Sequence, residues 1–137
     1  MLRVLICNFE LRKENIFMEF TSKQNKERVL IAIEGRILSM LDAAPLLEEV
    51  EVQIQAGHSL FILDLSKTEY LNSEGLNVLL KILTRTRNVG GETVLCRISG
   101  ELEKLFIITK LAHIFTILPT VKESEAFLKN KFGSVTA

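Results

Sequence analysis

The sequence predicts a single α/β domain, a mixed β-sheet with helices packed against it in the order ββαβαβαβα. Three observations predict this class. The run Leu60-Phe61-Ile62-Leu63 is continuously apolar, as expected of a strand covered on both faces. Just after it, Leu76, Leu79, Leu80 and Leu83 repeat with helical spacing. From there β-rich and helical segments alternate, the pattern of strands joined by right-handed helical crossovers. With 137 residues, 47% apolar and 25% charged, the chain is long enough for one domain with its own core and too short for two.

Taken in order, residues 1–17 combine a short apolar stretch with a charged one, and Met18 then reads as a fresh start. Two readings stand for this extension: an added edge strand over residues 2–9, or a non-native start ahead of a natural initiator at Met18. The domain proper is expected over 18–132, with a tail at 133–137. Residues 18–20 and 28–33 are rich in β-formers, and the polar run 21–27 between them reads as a hairpin turn. Glu34-Gly35 is expected to end the second strand. Asp42 is placed to cap a helix with Pro45 in its first turn, where a missing N–H costs little. Ala43, Leu47, Val50 and Ile54 then give one apolar stripe, and Gly57 stops the helix.

The run 60–63 is the central strand, and a polar loop follows it. A helix over 73–88 ends at Gly90-Gly91, a strand covers 93–98, a helix 101–110 and a short strand 114–118. Thr120-Val121-Lys122-Glu123 has the form of a capping box, in which the threonine hydroxyl and the glutamate satisfy orphan N–H groups reciprocally, and it opens a final helix through Phe127 and Leu128.

Charge and composition exclude several functions. Seventeen basic residues cancel seventeen acidic ones, so no overall positive field exists to hold nucleic acid or an anionic membrane. Neither direct nucleic-acid binding nor membrane insertion is expected, since no apolar run approaches the ~20 residues of a helical span. Cys7 and Cys96 fit no zinc or redox spacing, and the default location is a reducing cytoplasm. The apolar start lacks the length and cleavage site of a secretion signal. His58 and His113 have no partner pattern for catalysis or metal binding, Gly90-Gly91 lacks the spacing and lysine of a phosphate loop, and Lys104 and Lys110 read as a solvated helix face. No catalytic residue, metal site or cofactor is expected.

In open α/β sheets, functional loops gather beyond the carboxyl ends of the strands, where helix N-termini also point. That directs attention to residues 64–75, Asp-Leu-Ser-Lys-Thr-Glu-Tyr-Leu-Asn-Ser-Glu-Gly. Asn72 suits the cap of the following helix, which puts Ser73 in its first turn near unpaired backbone N–H groups. Asp64 reads as a loop-organising acceptor, and Gly75 either permits a close approach or is simply tolerated near a helix end.

These residues resemble a known family. Ile62-Leu63-Asp64-Leu65-Ser66 followed by Tyr70-Leu71-Asn72-Ser73-Glu74-Gly75-Leu76 is similar to the strand, loop and D-S-x-G-L helix start of STAS domains, specifically anti-sigma factor antagonists. Gly35-Arg36-Ile37 with Asp42, Gly90-Gly91-Glu92 with Thr93-Val94-Leu95, and residues 105–115 extend the likeness over roughly residues 18–130. The resemblance implies a non-enzymatic switch: an ATP-using anti-sigma kinase binds the protein and phosphorylates Ser73, and a serine phosphatase reverses the modification. It implies a partner-binding surface of Asp64, Ser66, Asn72, Ser73, Glu74 and Gly75. The family's aspartate is Asn72 here, which keeps a capping oxygen but removes a charge. Two other functions stay open, an accessory STAS subunit of a transporter ATPase and, less favoured, a small hydrolase.

Overall fold

The computed structural model describes residues 3–7 and 18–132. Six strands, β1 (Arg3–Cys7), β2 (Met18–Gln24), β3 (Val29–Ile37), β4 (Leu60–Leu71), β5 (Glu92–Cys96) and β6 (Thr116–Leu118), form one sheet in sequence order. The pairs β1/β2 and β2/β3 are antiparallel, and the remaining three pairs are parallel. Each parallel pair is joined through a helix: α1 (Ala44–Gln55), α2 (Ser73–Asn88) and α3 (Gly100–Ile108), with α4 (Val121–Phe132) after β6. The expected mixed α/β sheet is therefore the observed one, with β1 added ahead of the ββαβαβαβα order. The charged stretch expected within residues 8–17 and the tail at 133–137 lie outside the described residues.

Alternation along β4 assigns its side chains to two layers. Phe61, Leu63 and Leu65 join Ala43, Leu46 and Val50 of the α1 region, Leu76, Leu79 and Leu83 of α2, and Leu102 and Phe106 of α3 in the larger core. Leu60 and Ile62 join Val94, Cys96 and Leu128, with Phe127 and Phe132 of α4 packed against them. Both faces of the central strand are thus covered, which is why residues 60–63 are apolar without alternation.

Several local expectations are corrected. The polar run 21–27 is mostly strand, and only residues 25–28 turn, with the Asn25 Oδ1 accepting from the N–H groups of Glu27 and Arg28 at 2.8 and 3.0 Å. Thr21 to Gln24 are polar yet extended because ladder pairing with β3 and β1 holds them. Glu34-Gly35 does not end β3; the strand passes through irregularities there, with Gly35 at φ 93, and stops at Ile37. Asp42 does not cap α1. Ala43 is the cap residue, and Pro45 removes one N–H that a capping side chain would have served.

The buried face of α1 is centred on Leu46 and Val50, while Leu47 and Ile54 pack at its margin. That face includes Glu49 and Gln53, whose Nε2 donates to Glu49 Oε2 at 2.7 Å beside a 2.8 Å bond from Ser22 Oγ. Periodicity of apolar residues is blind to such a polar pair. Finally, the polar loop expected after residue 63 is strand: β4 runs unbroken to Leu71 beside β3.

At the other end of the sheet Glu92 is buried but held by Arg87, whose Nε donates at 2.8 Å, with Lys131 at 3.8 Å. A buried carboxylate is tolerated when it is paired in this way. The T-x-x-E sequence opens α4 as expected on its threonine side, Glu123 N–H donating to Thr120 Oγ1 at 3.0 Å.

Candidate functional site

The start of α2 is built by three consecutive residues and a glycine. Leu71 is buried as the last residue of β4, and Asn72 turns the chain with φ −101 and ψ −170. Its Oδ1 accepts from Gly75 N–H at 2.8 Å and its backbone oxygen from Leu76 N–H at 2.9 Å, while its Nδ2 donates to the Leu38 oxygen at 2.9 Å. The capping role read from sequence is the observed one.

Gly75 sits where α2 crosses the end of β3. A Cβ placed on it would lie 2.1 Å from the Ile37 backbone oxygen, so the residue is glycine because the two backbones touch. Ser73 is the first residue of the helix and is exposed. Among the described residues, the N–H groups of Ser73 and Glu74 carry no hydrogen bond, which is the usual state of the first helical turn in water. Glu74 is also exposed, and its Oε1 accepts from Met40 N–H at 2.8 Å. The positive end of the helix dipole and free donors therefore converge beside an accessible hydroxyl, an environment that favours a negative charge.

Asp64 and Ser66 have a different setting. Asp64 pairs in register with Cys96, and alternation along β4 places it on the α4 side of the sheet with Ile62. Its Oδ1 accepts from Ser66 N–H at 3.0 Å, and its Oδ2 lies 3.4 Å from Arg97 Nη1. Asp64 thus acts as a local hydrogen-bond acceptor, as expected, but at an irregularity within β4 rather than in a loop. Ser66 is exposed. Among the described residues no hydrogen bond or ion pair joins Asp64 or Ser66 to the helix start, whereas Asn72, Ser73, Glu74 and Gly75 form one contiguous unit.

Burial, reinforced by the Asp64 charge, pushes the Cys96 thiol up to about 11, although Ser124 and Arg97 act in the opposite sense. At pH 8 only about one such thiol in a thousand is thiolate, against roughly a quarter of ordinary cysteines. In a Cys7→Ser background, a thiol reagent at pH 8 is expected to label native protein at least about a hundredfold more slowly than unfolded protein. Equal rates in the two states would contradict this environment for Cys96.

Sequence reasoning missed the segment that joins β3 to α1. Leu38 and Met40 contribute backbone groups to the helix start, and Leu41 beside them is 78% exposed. Tyr70, 52% exposed, lies with Arg36, Leu38 and Glu69 around a shallow depression. The available signal was an apolar stretch, Ile37-Leu38-Ser39-Met40-Leu41, continuing past the expected end of a strand. Among the described residues, no group of three or more His, Cys, Asp or Glu side chains could hold a metal ion, and no helix is long and apolar enough to cross a membrane.

Comparison with known proteins adds to this geometry. The family model for the STAS domain matches residues 17–124. The chain is 30% identical over 101 residues to BtrV of Bordetella bronchiseptica, named as a candidate anti-sigma factor antagonist, covering 74% of this chain and 87% of that protein. A candidate anti-sigma factor antagonist from Thermotoga maritima has a similar structure, with TM-score 0.70, 23% identity, and coverage of 80% of this chain and 94% of that one. The anti-sigma factor antagonist SpoIIAA in its unphosphorylated form aligns with TM-score 0.68 and 19% identity over 85% of this chain and 98% of that one. The Bacillus SpoIIAA in its phosphorylated form aligns with TM-score 0.62 and 18% identity over 78% and 96%. At these identities the solved structures speak for the fold.

Proposed function

The chain belongs to the STAS domain family, and on that premise we propose that it is an anti-sigma factor antagonist working by partner switching, with Ser73 as a reversible phosphorylation site. The relative BtrV is named a candidate anti-sigma factor antagonist, and SpoIIAA shares the fold and has been solved in phosphorylated and unphosphorylated forms. The observation that carries the reading to a residue is the exposed Ser73 on the first turn of α2, beside two N–H groups that make no hydrogen bond among the described residues.

In this proposal an anti-sigma kinase docks on the α2 start and transfers the γ-phosphoryl group of ATP to Ser73 Oγ, releasing ADP and the hydroxyl proton. The product carries about −1.5 to −2 charges. The helix N-terminus stabilises them by roughly 0.3 to 1 kcal/mol at an exposed position, so the fold accepts the group unchanged. A docked partner would have to bury the same charge, and burial without compensating cations costs more than the dipole returns. Unmodified protein binds, modified protein is released, and a serine phosphatase resets it. Partners of this kind place the protein in the cytoplasm, where ATP is supplied, and require no catalytic chemistry of its own.

Incubation with an anti-sigma kinase and ATP should add one phosphate to the wild type and none to Ser73→Ala. Failure of every such kinase to modify Ser73 would sink the proposal. The alternative of an accessory subunit predicts instead that the protein copurifies with a transporter ATPase.

A further inference from the structure

The carboxamide of Asn72 makes two bonds that need opposite chemistry. Its Nδ2 donates to the Leu38 oxygen at 2.9 Å and its Oδ1 accepts from Gly75 N–H at 2.8 Å. A carbonyl only accepts and a peptide N–H only donates, so the two partners together demand an amide. An ionised aspartate would keep the cap but face the Leu38 oxygen with an oxygen of its own. On the other side of Ser73, Glu74 Oε1 takes the Met40 N–H at 2.8 Å. The segment between β3 and α1 is therefore fastened to the first turn of α2 by the two residues that flank Ser73, and it carries the exposed Leu41.

We propose that Asn72 is a positioning residue whose neutral carboxamide braces residues 38–41 against the start of α2, so that Leu41 and Ser73 present one docking surface. An aspartate here, the residue that the family resemblance would lead one to expect, breaks the brace while preserving the helix. The consequence for binding rests on the partner-switching reading; the brace itself is a property of the free protein.

Amide hydrogen exchange by NMR on wild type, Asn72→Asp and Asn72→Ser tests it. Serine keeps a neutral capping oxygen, but its side chain is one atom shorter and cannot reach the Leu38 oxygen while it holds the Gly75 N–H. The amides of Met40 and Asp42 should exchange roughly tenfold faster in both variants, the effect of about one net hydrogen bond. Those of Leu79, Ile82 and Leu83 inside α2 should keep their protection. Wild-type exchange at Met40 and Asp42 in both variants would overturn the brace. So would faster exchange in Asn72→Asp alone, which would assign the effect to the added charge. Affinity for an anti-sigma kinase should fall about tenfold in both variants, and unchanged affinity despite a loosened segment would overturn the docking role. A wild-type protein that binds no anti-sigma kinase would defeat the partner reading, with the exchange data still deciding the brace.

Discussion

Replacing Gly75 by alanine is expected to destabilise the protein by ~3 kcal/mol, at the upper end of the usual cost of inserting atoms into a packed site. Two effects compete. Alanine is the better helix former by roughly 1 kcal/mol. Against that, the new Cβ would fall 2.1 Å from the Ile37 oxygen and 3.1 Å from its carbonyl carbon, and both belong to backbone that no rotamer change can move. The start of α2 must lift off β3, which strains the Asn72 bond to Leu38 and the Glu74 bond to Met40 together. The midpoint of thermal unfolding followed by circular dichroism should fall by roughly 10 °C. An alanine variant as stable as the wild type would show that this contact is softer than the geometry states.

Ser73→Asp is expected to cost at least about a hundredfold in affinity for the anti-sigma kinase, or ~3 kcal/mol, the scale of an uncompensated charge at a buried interface. Ser73→Ala should bind like the wild type. The fold should not suffer, because an anion on the first turn is stabilised by the helix dipole and Ser73 is exposed. The aspartate variant should therefore unfold at or slightly above the wild-type temperature while losing its partner. Titration calorimetry beside a thermal melt separates the two effects. Equal affinity for wild type, alanine and aspartate variants would remove Ser73 from the interface.

Much of the fold is legible in the sequence because its strongest signals are local. The doubly covered strand at 60–63, the helical repeat of Leu76, Leu79 and Leu83, and the caps at Asn72 and Thr120 each reflect the physics of one segment. The errors have a common origin. Residues 21–24 and 64–71 look like turn and loop by composition, but pairing between β2, β3 and β4 holds them extended. The apolar stripe read for α1 leaves out Glu49 and Gln53, yet both are buried and Ser22 comes across from β2 to meet Glu49. In each case partners distant in sequence set the outcome.

The candidate site divides along the same line. The sequence by itself determined that a helix begins at Ser73 and that Asn72 caps it, since a polar side chain beside its own helix start needs only a few neighbouring N–H groups to act. It also carried the motif order by which the chain is recognised as a STAS domain. Only the tertiary structure decided why residue 75 is glycine, why residue 72 is an amide and where Asp64 points. Those answers depend on Ile37, Leu38, Met40 and Arg97, which reach the motif from other elements. Hydrogen bonds and steric contacts act over a few ångströms of space whatever the separation along the chain, so their partners become visible only once the chain has folded.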